Sequence, residues 1–289
     1  MVKLRLPQYF RQPIPGEQIL QRMRALSSLG VNTVCKESRC PNFCECLSAD
    51  KLTFMILGDT CTRNCTFCNV AKAPAKARLG IEPQEPERIA ALAKEMRLKY
   101  AVITSVTRDD LSDGGAEHFA KTIIAMRRAV PGIKIEVLIP DFSGNLKSLQ
   151  TVISAKPDCL AHNLETVERL YPQVRPLAGY GLSLKILEEA KKAGSPITKS
   201  SLMLGLGETK DEVIAAMQDL KRHTCDALTL GQYLAPSDNH YPVREFISAE
   251  RFNEYQKIGI SLGFKAVFAG PKVRSSYQAE KVYSEVNYA

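Results

Sequence analysis

Between residues 53 and 234, short apolar runs alternate with amphipathic segments, and no other feature of the sequence limits the fold so strongly. The runs at 53–57, 100–106, 133–139, 159–163, 197–204 and 227–234 have the length and character of buried strands. The stretches between them carry apolar residues at helical spacing. Ile89, Leu92, Ala93 and Met96 follow Pro86, then come Ala116, Phe119, Ala120 and Ile123, then Leu146, Leu149 and Ile153, and a further helix begins near Ser183. Thr209 and Glu212 make a capping-box pattern ahead of Val213, Ala216, Met217 and Leu220. About six βα units in succession require a parallel sheet with right-handed crossovers. That falls short of the eight units of a complete barrel. Periodicity alone therefore leaves two architectures, a partial barrel and a doubly wound open sheet.

The cysteines supply the chemistry. Cys61-x3-Cys65-x2-Cys68 directly follows the first apolar run, so the three thiols occupy the loop at a strand's C-terminal end. Soft sulfur ligands select zinc, Cu(I) or iron–sulfur. Structural zinc wants four ligands, often as CxxC pairs, and no fourth cysteine or histidine follows nearby. A [4Fe–4S] cluster held by three cysteines keeps one iron open for a small molecule, which suits a reactive site. A second group, Cys35, Cys40, Cys44 and Cys46, precedes the first strand and has enough ligands for zinc as well as for a cluster. Ahead of it, Pro7, Pro13 and Pro15 break any early helix, and an amphipathic helix with Ile19, Met23 and Leu26 on one face runs from about Glu17 to near Gly30.

The Cys61-x3-Cys65-x2-Cys68 motif resembles the signature of the radical S-adenosylmethionine (SAM) superfamily, in which the open iron binds the amino and carboxylate groups of SAM. A zinc knuckle or a simple electron-transfer cluster is the plainer alternative for the spacing alone. Cys35-x4-Cys40-x5-Cys46, with Pro41-Asn42 after Cys40, resembles the second signature of the lipoyl synthases, whose three cysteines hold an auxiliary [4Fe–4S] cluster. Arg274-Ser275-Ser276-Tyr277, to composition an ordinary turn, resembles that family's terminal element, whose first serine is the fourth ligand of the auxiliary cluster. Carried over, that ligand is Ser275. A hard oxygen on a thiolate-rich cluster is mismatched and should leave more readily than a cysteine. Cys44 is surplus to the family pattern. Further matches at 161–166, 199–208 and 230–237 extend the resemblance over about 32–279, with Ser201 and Lys272 as small departures.

The resemblance implies a partial (β/α)6 TIM-type barrel of the α/β class. It also implies an N-terminal extension at 1–50, a barrel at 51–240 and a C-terminal extension at 241–289, the two extensions carrying the auxiliary cluster. It implies two [4Fe–4S] clusters, SAM, and insertion of two sulfur atoms at the sixth and eighth carbons of a protein-bound octanoyl-lysine. The implied partners are octanoylated lipoyl carrier domains (2-oxoacid dehydrogenase E2 subunits and the glycine cleavage H protein) and an electron donor such as flavodoxin or ferredoxin. Strand ends line the reaction mouth of such a barrel. Thr107, Asp109, Asn163 and Glu165 are then candidate acceptors or polar contacts for SAM, and Arg175 the candidate cation for its carboxylate; each could equally cap nearby backbone. Another radical SAM sulfur inserter would lack the N-terminal trio and the terminal Arg-Ser-Ser-Tyr. A plain iron–sulfur electron carrier would need neither a barrel nor an open iron.

The remaining features are quieter. A formal net charge of +8 comes without a Lys/Arg stripe interleaved with aromatics, so no nucleic-acid partner is expected, whereas an acidic carrier is compatible. No apolar run reaches the length of a membrane span, and the first residues lack a secretory pattern. With cysteines grouped for metal ligation, this places the protein in the cytoplasm. Cys159 and Cys225 read as small core residues, His118 as a helix-face residue, and none of the histidines as a metal ligand. After a helix at about 250–262 and a short strand at 266–268, the last residues are polar and expected to be poorly fixed.

Overall fold

The computed structural model describes residues 6–10, 16–49, 51–74 and 79–288; Pro13, Pro15 and the side chain of Met23 lie outside it. Seven parallel strands form the framework: β1 (Thr53–Ile56), β2 (Tyr100–Ser105), β3 (Lys134–Leu138), β4 (Cys159–Ala161), β5 (Thr198–Leu204), β6 (Ala227–Gln232) and β7 (Ala266–Gly270). Each is followed by a helix: α1 (Glu85–Glu95), α2 (Ala116–Ala129), α3 (Leu146–Ser154), α4 (Tyr180–Lys192), α5 (Lys210–Arg222), α6 (Ala249–Ser261) and α7 (Ala279–Tyr288). The strands lie side by side in sequence order, with the short strand Asn32–Thr33 added antiparallel to β1. A doubly wound sheet reverses its order at a switch point. This one never does, so it is an open barrel.

The local signals explain the helices. Pro86 sits in the first turn of α1, where its missing N–H costs nothing. The Thr209–Glu212 capping box at the start of α5 is formed in both directions. Helices α1 to α3 pack Ile89, Phe119, Ile123 and Val152 against Phe54, Ile103 and Ile135 of the first strands. Val213, Met217, Leu220 and Phe252 do the same for Leu202, Leu228 and Val267. Inside the barrel, Lys199 Nζ of β5 reaches across β4 to Glu136 Oε1 of β3 at 2.7 Å, and both side chains are at most 1% exposed. Tyr100 donates its hydroxyl to the same carboxylate at 2.9 Å. Charges this deep are tolerable only as a pair whose remaining valences are filled.

Two findings depart from the sequence reading. The strand near 266–268 extends the sheet as a seventh parallel member, in register with β6 from Ala266 opposite Ala227 to Gly270 opposite Gly231. Residues 279–288 are helical rather than loosely fixed. Val282 and Val286 of α7 pack on Cys159, Ile197, Ala227 and Ala266, all at or just before the N-terminal ends of strands, so α7 closes that end of the barrel.

The seam between β1 and β7 is bridged by chain from both flanks. Asn42 Nδ2 donates to Lys272 O at 2.6 Å, Thr53 Oγ1 to Ser276 Oγ at 2.8 Å, and Tyr277 OH to Glu45 Oε1 at 2.7 Å. Gly231 permits this crossing, since a Cβ there would stand 1.9 Å from Val273 O. No helix among the described residues is long and apolar enough to cross a membrane.

Candidate functional site

The loop leaving β1 turns through Leu57 and Gly58, both at positive φ, and is pinned by a two-residue ladder pairing Thr60–Cys61 with Ala71–Lys72. It is also fastened to the loop after β2. Thr62 N and Oγ1 donate to Thr107 O at 3.0 and 2.9 Å, and Asp109 N donates to Thr62 Oγ1 at 3.0 Å. Cys61 Sγ accepts two backbone N–H groups, from Arg63 at 3.4 Å and Thr107 at 3.3 Å.

Arg63, inside the cysteine motif, braces the loop from below. Its guanidinium makes paired hydrogen bonds of 2.6 Å to Asp141 and of 2.8 and 2.9 Å to Asp109. Burial would raise the Asp141 carboxyl, but the guanidinium more than offsets this and holds it below the usual carboxylate range. Asp109 is thus bound to Arg63, and Thr107 contributes its backbone to the cysteine loop. Sequence reasoning missed Arg63 and Asp141, because nothing in the spacing indicates which carboxylates a buried arginine will meet.

Asn163, Glu165 and Arg175 gather beside this loop. Asn163 Nδ2 donates to Glu165 Oε1 at 2.8 Å, and Arg175 Nη1 donates to the carbonyls of Asn163 and Leu164 and to Tyr171 OH. Arg175 Nε is buried with no partner among the described residues, so one donor of a fixed cation remains available to an anionic group. Burial raises the Cys65 thiol, and the nearby Arg175 charge pulls it back. Burial also raises Glu165, against the pull of Arg175. Cys68 is pushed to about 12, by burial first and then by Cys65 and Cys61, so the three thiols share one site.

The second thiol set faces a different space. Cys35, Cys40 and Cys46 line a cavity of about 110 Å³ with Asn42, Thr53, Arg274, Ser276 and Tyr277. Cys35 and Cys40 belong to or follow the short helix Val34–Glu37, and Cys46 to the helix Phe43–Ser48; Cys44 is not part of the lining. Burial, with mutual repulsion among the thiols, pushes Cys35 to about 11 and Cys46 to about 12. Both sets have the soft donors an iron–sulfur cluster requires, and loading them must release the thiol protons. Among the described residues no three such side chains are gathered closely enough to hold one ion. A cluster makes no such demand, because each thiolate takes its own iron.

Ser275 lies between the two sets. Its neighbours Arg274 and Ser276 line the Cys35 cavity, while its own hydroxyl donates to Asn163 Oδ1 at 2.9 Å. His118, read as a helix-face residue, lies on the buried face of α2 and pairs its Nε2 with Glu85 Oε2 at 2.7 Å; the same carboxylate oxygen accepts Leu57 N. Cys159 and Cys225 are core residues.

His162 yields a pH prediction. Its Nδ1 meets Ile139 O at 2.8 Å, and burial, aided by the Arg175 charge, lowers the ring to about 4. The folded protein therefore keeps it neutral while the unfolded chain takes up a proton. Stability is lost as pH falls from about 6.5 towards 4, by about 3 kcal/mol in full. Urea unfolding across that range should show this slope, and His162→Gln should flatten it.

Comparison with known proteins adds the following. The radical SAM superfamily pattern matches residues 55–220. A lipoyl synthase of Caldicellulosiruptor saccharolyticus is 50% identical over 97% of this chain and 98% of its own length. One of Aquifex aeolicus is 54% identical over 86% of this chain and 89% of its own. Among solved structures, methylornithine synthase superposes with a TM-score of 0.56 at 12% identity, covering 82% of this chain and 81% of its own, a likeness of fold.

Proposed function

The chain belongs to the lipoyl synthase family of the radical SAM superfamily, and from that premise we propose how its residues divide the reaction. The protein is a radical SAM sulfurtransferase using two [4Fe–4S] clusters and SAM. It inserts two sulfur atoms at the sixth and eighth carbons of a protein-bound octanoyl-lysine to give the lipoyl cofactor, with sulfur drawn from the auxiliary cluster. The observation that carries this is identity near 50% across almost the whole of both chains.

Cys61, Cys65 and Cys68 would hold the cluster that meets SAM, and Cys35, Cys40, Cys46 and Ser275 would hold the auxiliary cluster. When bound and reduced, the first supplies the electron that cleaves SAM to methionine and a 5′-deoxyadenosyl radical. The protein's own part is binding, orientation and exclusion of water. Arg175, whose buried Nε has no partner among the described residues, would take the SAM carboxylate, and Glu165 with Asn163 the ammonium. Thr107 and Asp109 act through the loop that presents Cys61. Segments 1–50 and 241–289 serve as the extensions that bring the auxiliary ligands together. The substrate is an octanoylated carrier protein; E2 subunits and the glycine cleavage H protein are the proposed carriers. Flavodoxin or ferredoxin is the proposed electron donor, and the cytoplasm the proposed compartment.

The test is anaerobic turnover of an octanoyl-lysine peptide with SAM and a reductant, read by mass spectrometry. Two added sulfurs per peptide are expected; a peptide returned unchanged while SAM is cleaved would defeat the assignment.

A further inference from the structure

We propose that Asn163 is a positioning residue that competes with the auxiliary cluster for the Ser275 oxygen, holding the serine aside once it has let go. This rests on the reading of Ser275 as a cluster ligand.

The amide of Asn163 cannot turn freely. Its side-chain Nδ2 donates to Glu165 Oε1 at 2.8 Å, and the residue's backbone carbonyl accepts Arg175 Nη1 at 2.9 Å. The strand-end backbone is held as well, with Glu165 N on Ser201 O and Met203 N on Glu165 O. With Nδ2 committed, Oδ1 is the atom left facing Ser275, and it can only accept. The Ser275 hydroxyl must therefore be the donor, at 2.9 Å. An oxygen bound to iron as an alkoxide has no proton to give and would meet the amide oxygen unfavourably. The Asn163 position thus favours the serine in its free hydroxyl form.

The surroundings make the exchange a short one. Arg274 and Ser276, on either side, stay in the wall of the Cys35–Cys40–Cys46 cavity while Ser275 points to β4 and its following residues. On leaving, the serine oxygen keeps the bonding pair and takes a proton from water, so no oxidant or reductant is needed. Its O–H then bonds to Asn163 Oδ1. Because Asn163 also contacts Glu165, the residue proposed for the SAM ammonium, it touches both halves of the site.

The test follows iron release to excess chelator from anaerobic holoprotein, counting iron beyond that released by the Cys35→Ala/Cys40→Ala/Cys46→Ala protein. Ser275→Ala should release auxiliary iron faster than wild type. Asn163→Thr, whose hydroxyl is too short to reach Ser275, should release it about fivefold more slowly, the worth of one net hydrogen bond. The double variant should match Ser275→Ala alone, a dependence that a general structural defect would not produce. Should Asn163→Thr not fold, as judged by thermal melting, Asn163→Ala carries the same comparison. Release from the Asn163 variant at or above the wild-type rate, with Ser275→Ala still fast, overturns the proposal but leaves the ligand assignment standing. If Ser275→Ala itself releases iron at the wild-type rate, the ligand assignment falls and the proposal with it.

Discussion

Alanine at Cys61, Cys65 or Cys68 is expected to abolish SAM cleavage and sulfur insertion together. Each thiolate would hold one iron of the cluster that meets SAM. The loop carrying them is a single mechanical unit, with Cys61 Sγ accepting N–H groups from Arg63 and Thr107 and the backbone laced to the β2 loop. Removing the electron source leaves the barrel with nothing to accelerate, a loss on the order of 10⁶-fold or more. Iron should fall from about eight to about four atoms per chain, because the other thiol set remains loaded. Iron analysis with detection of 5′-deoxyadenosine and the thiolated product checks both points. A variant that still cleaves SAM at a substantial rate would contradict it.

Alanine at Cys35, Cys40 and Cys46 together should separate what the first change removes jointly. SAM cleavage should persist, within about twofold if the two thiol sets are energetically independent, while no sulfur reaches the substrate. The structural reason is that the first set is built on loops of β1 and β2, whereas the second lines its own cavity under Arg274 and Tyr277. The peptide assay is decisive: 5′-deoxyadenosine without added sulfur is expected, and a peptide carrying two sulfurs would show that the sulfur comes from elsewhere.

What the sequence disclosed, and what it hid, follows from range. Strands and helix faces were legible because alternation is local, and Ile89 and Phe119 declare their helices within a few residues, but the order of the strands in the sheet was not. The seventh βα unit was obscured because α7 buries little beyond Ala279, Val282 and Val286 among polar neighbours, and its partners at the strand starts are distant in sequence. The burial of His118 on its helix face was not legible because its partner, Glu85, lies 33 residues away on another helix. The thiol groups stood out by spacing, but the Arg63 fork to Asp109 and Asp141 spans 46 and 78 residues and has no sequence signature. Ser275 was visible only through family resemblance. Its contact with Asn163, across 112 residues, belongs to tertiary structure alone.

The clasp over the open seam has a consequence for biogenesis. Asn42 meets Lys272 and Glu45 meets Tyr277 across 230 and 232 residues of chain. Contacts so remote in sequence come late, after the intervening strands have paired and loop closure has become affordable. The chamber around Cys35, Cys40 and Cys46 is therefore finished only after translation has delivered the residues beyond 270, whereas the contacts of the ligand loop at 61–68 run to Thr107, Asp141, Val174 and Tyr241. The last contact of the ligand loop thus comes from residue 241 and the clasp of the other chamber from beyond 270, so the topology finishes one locus before the other.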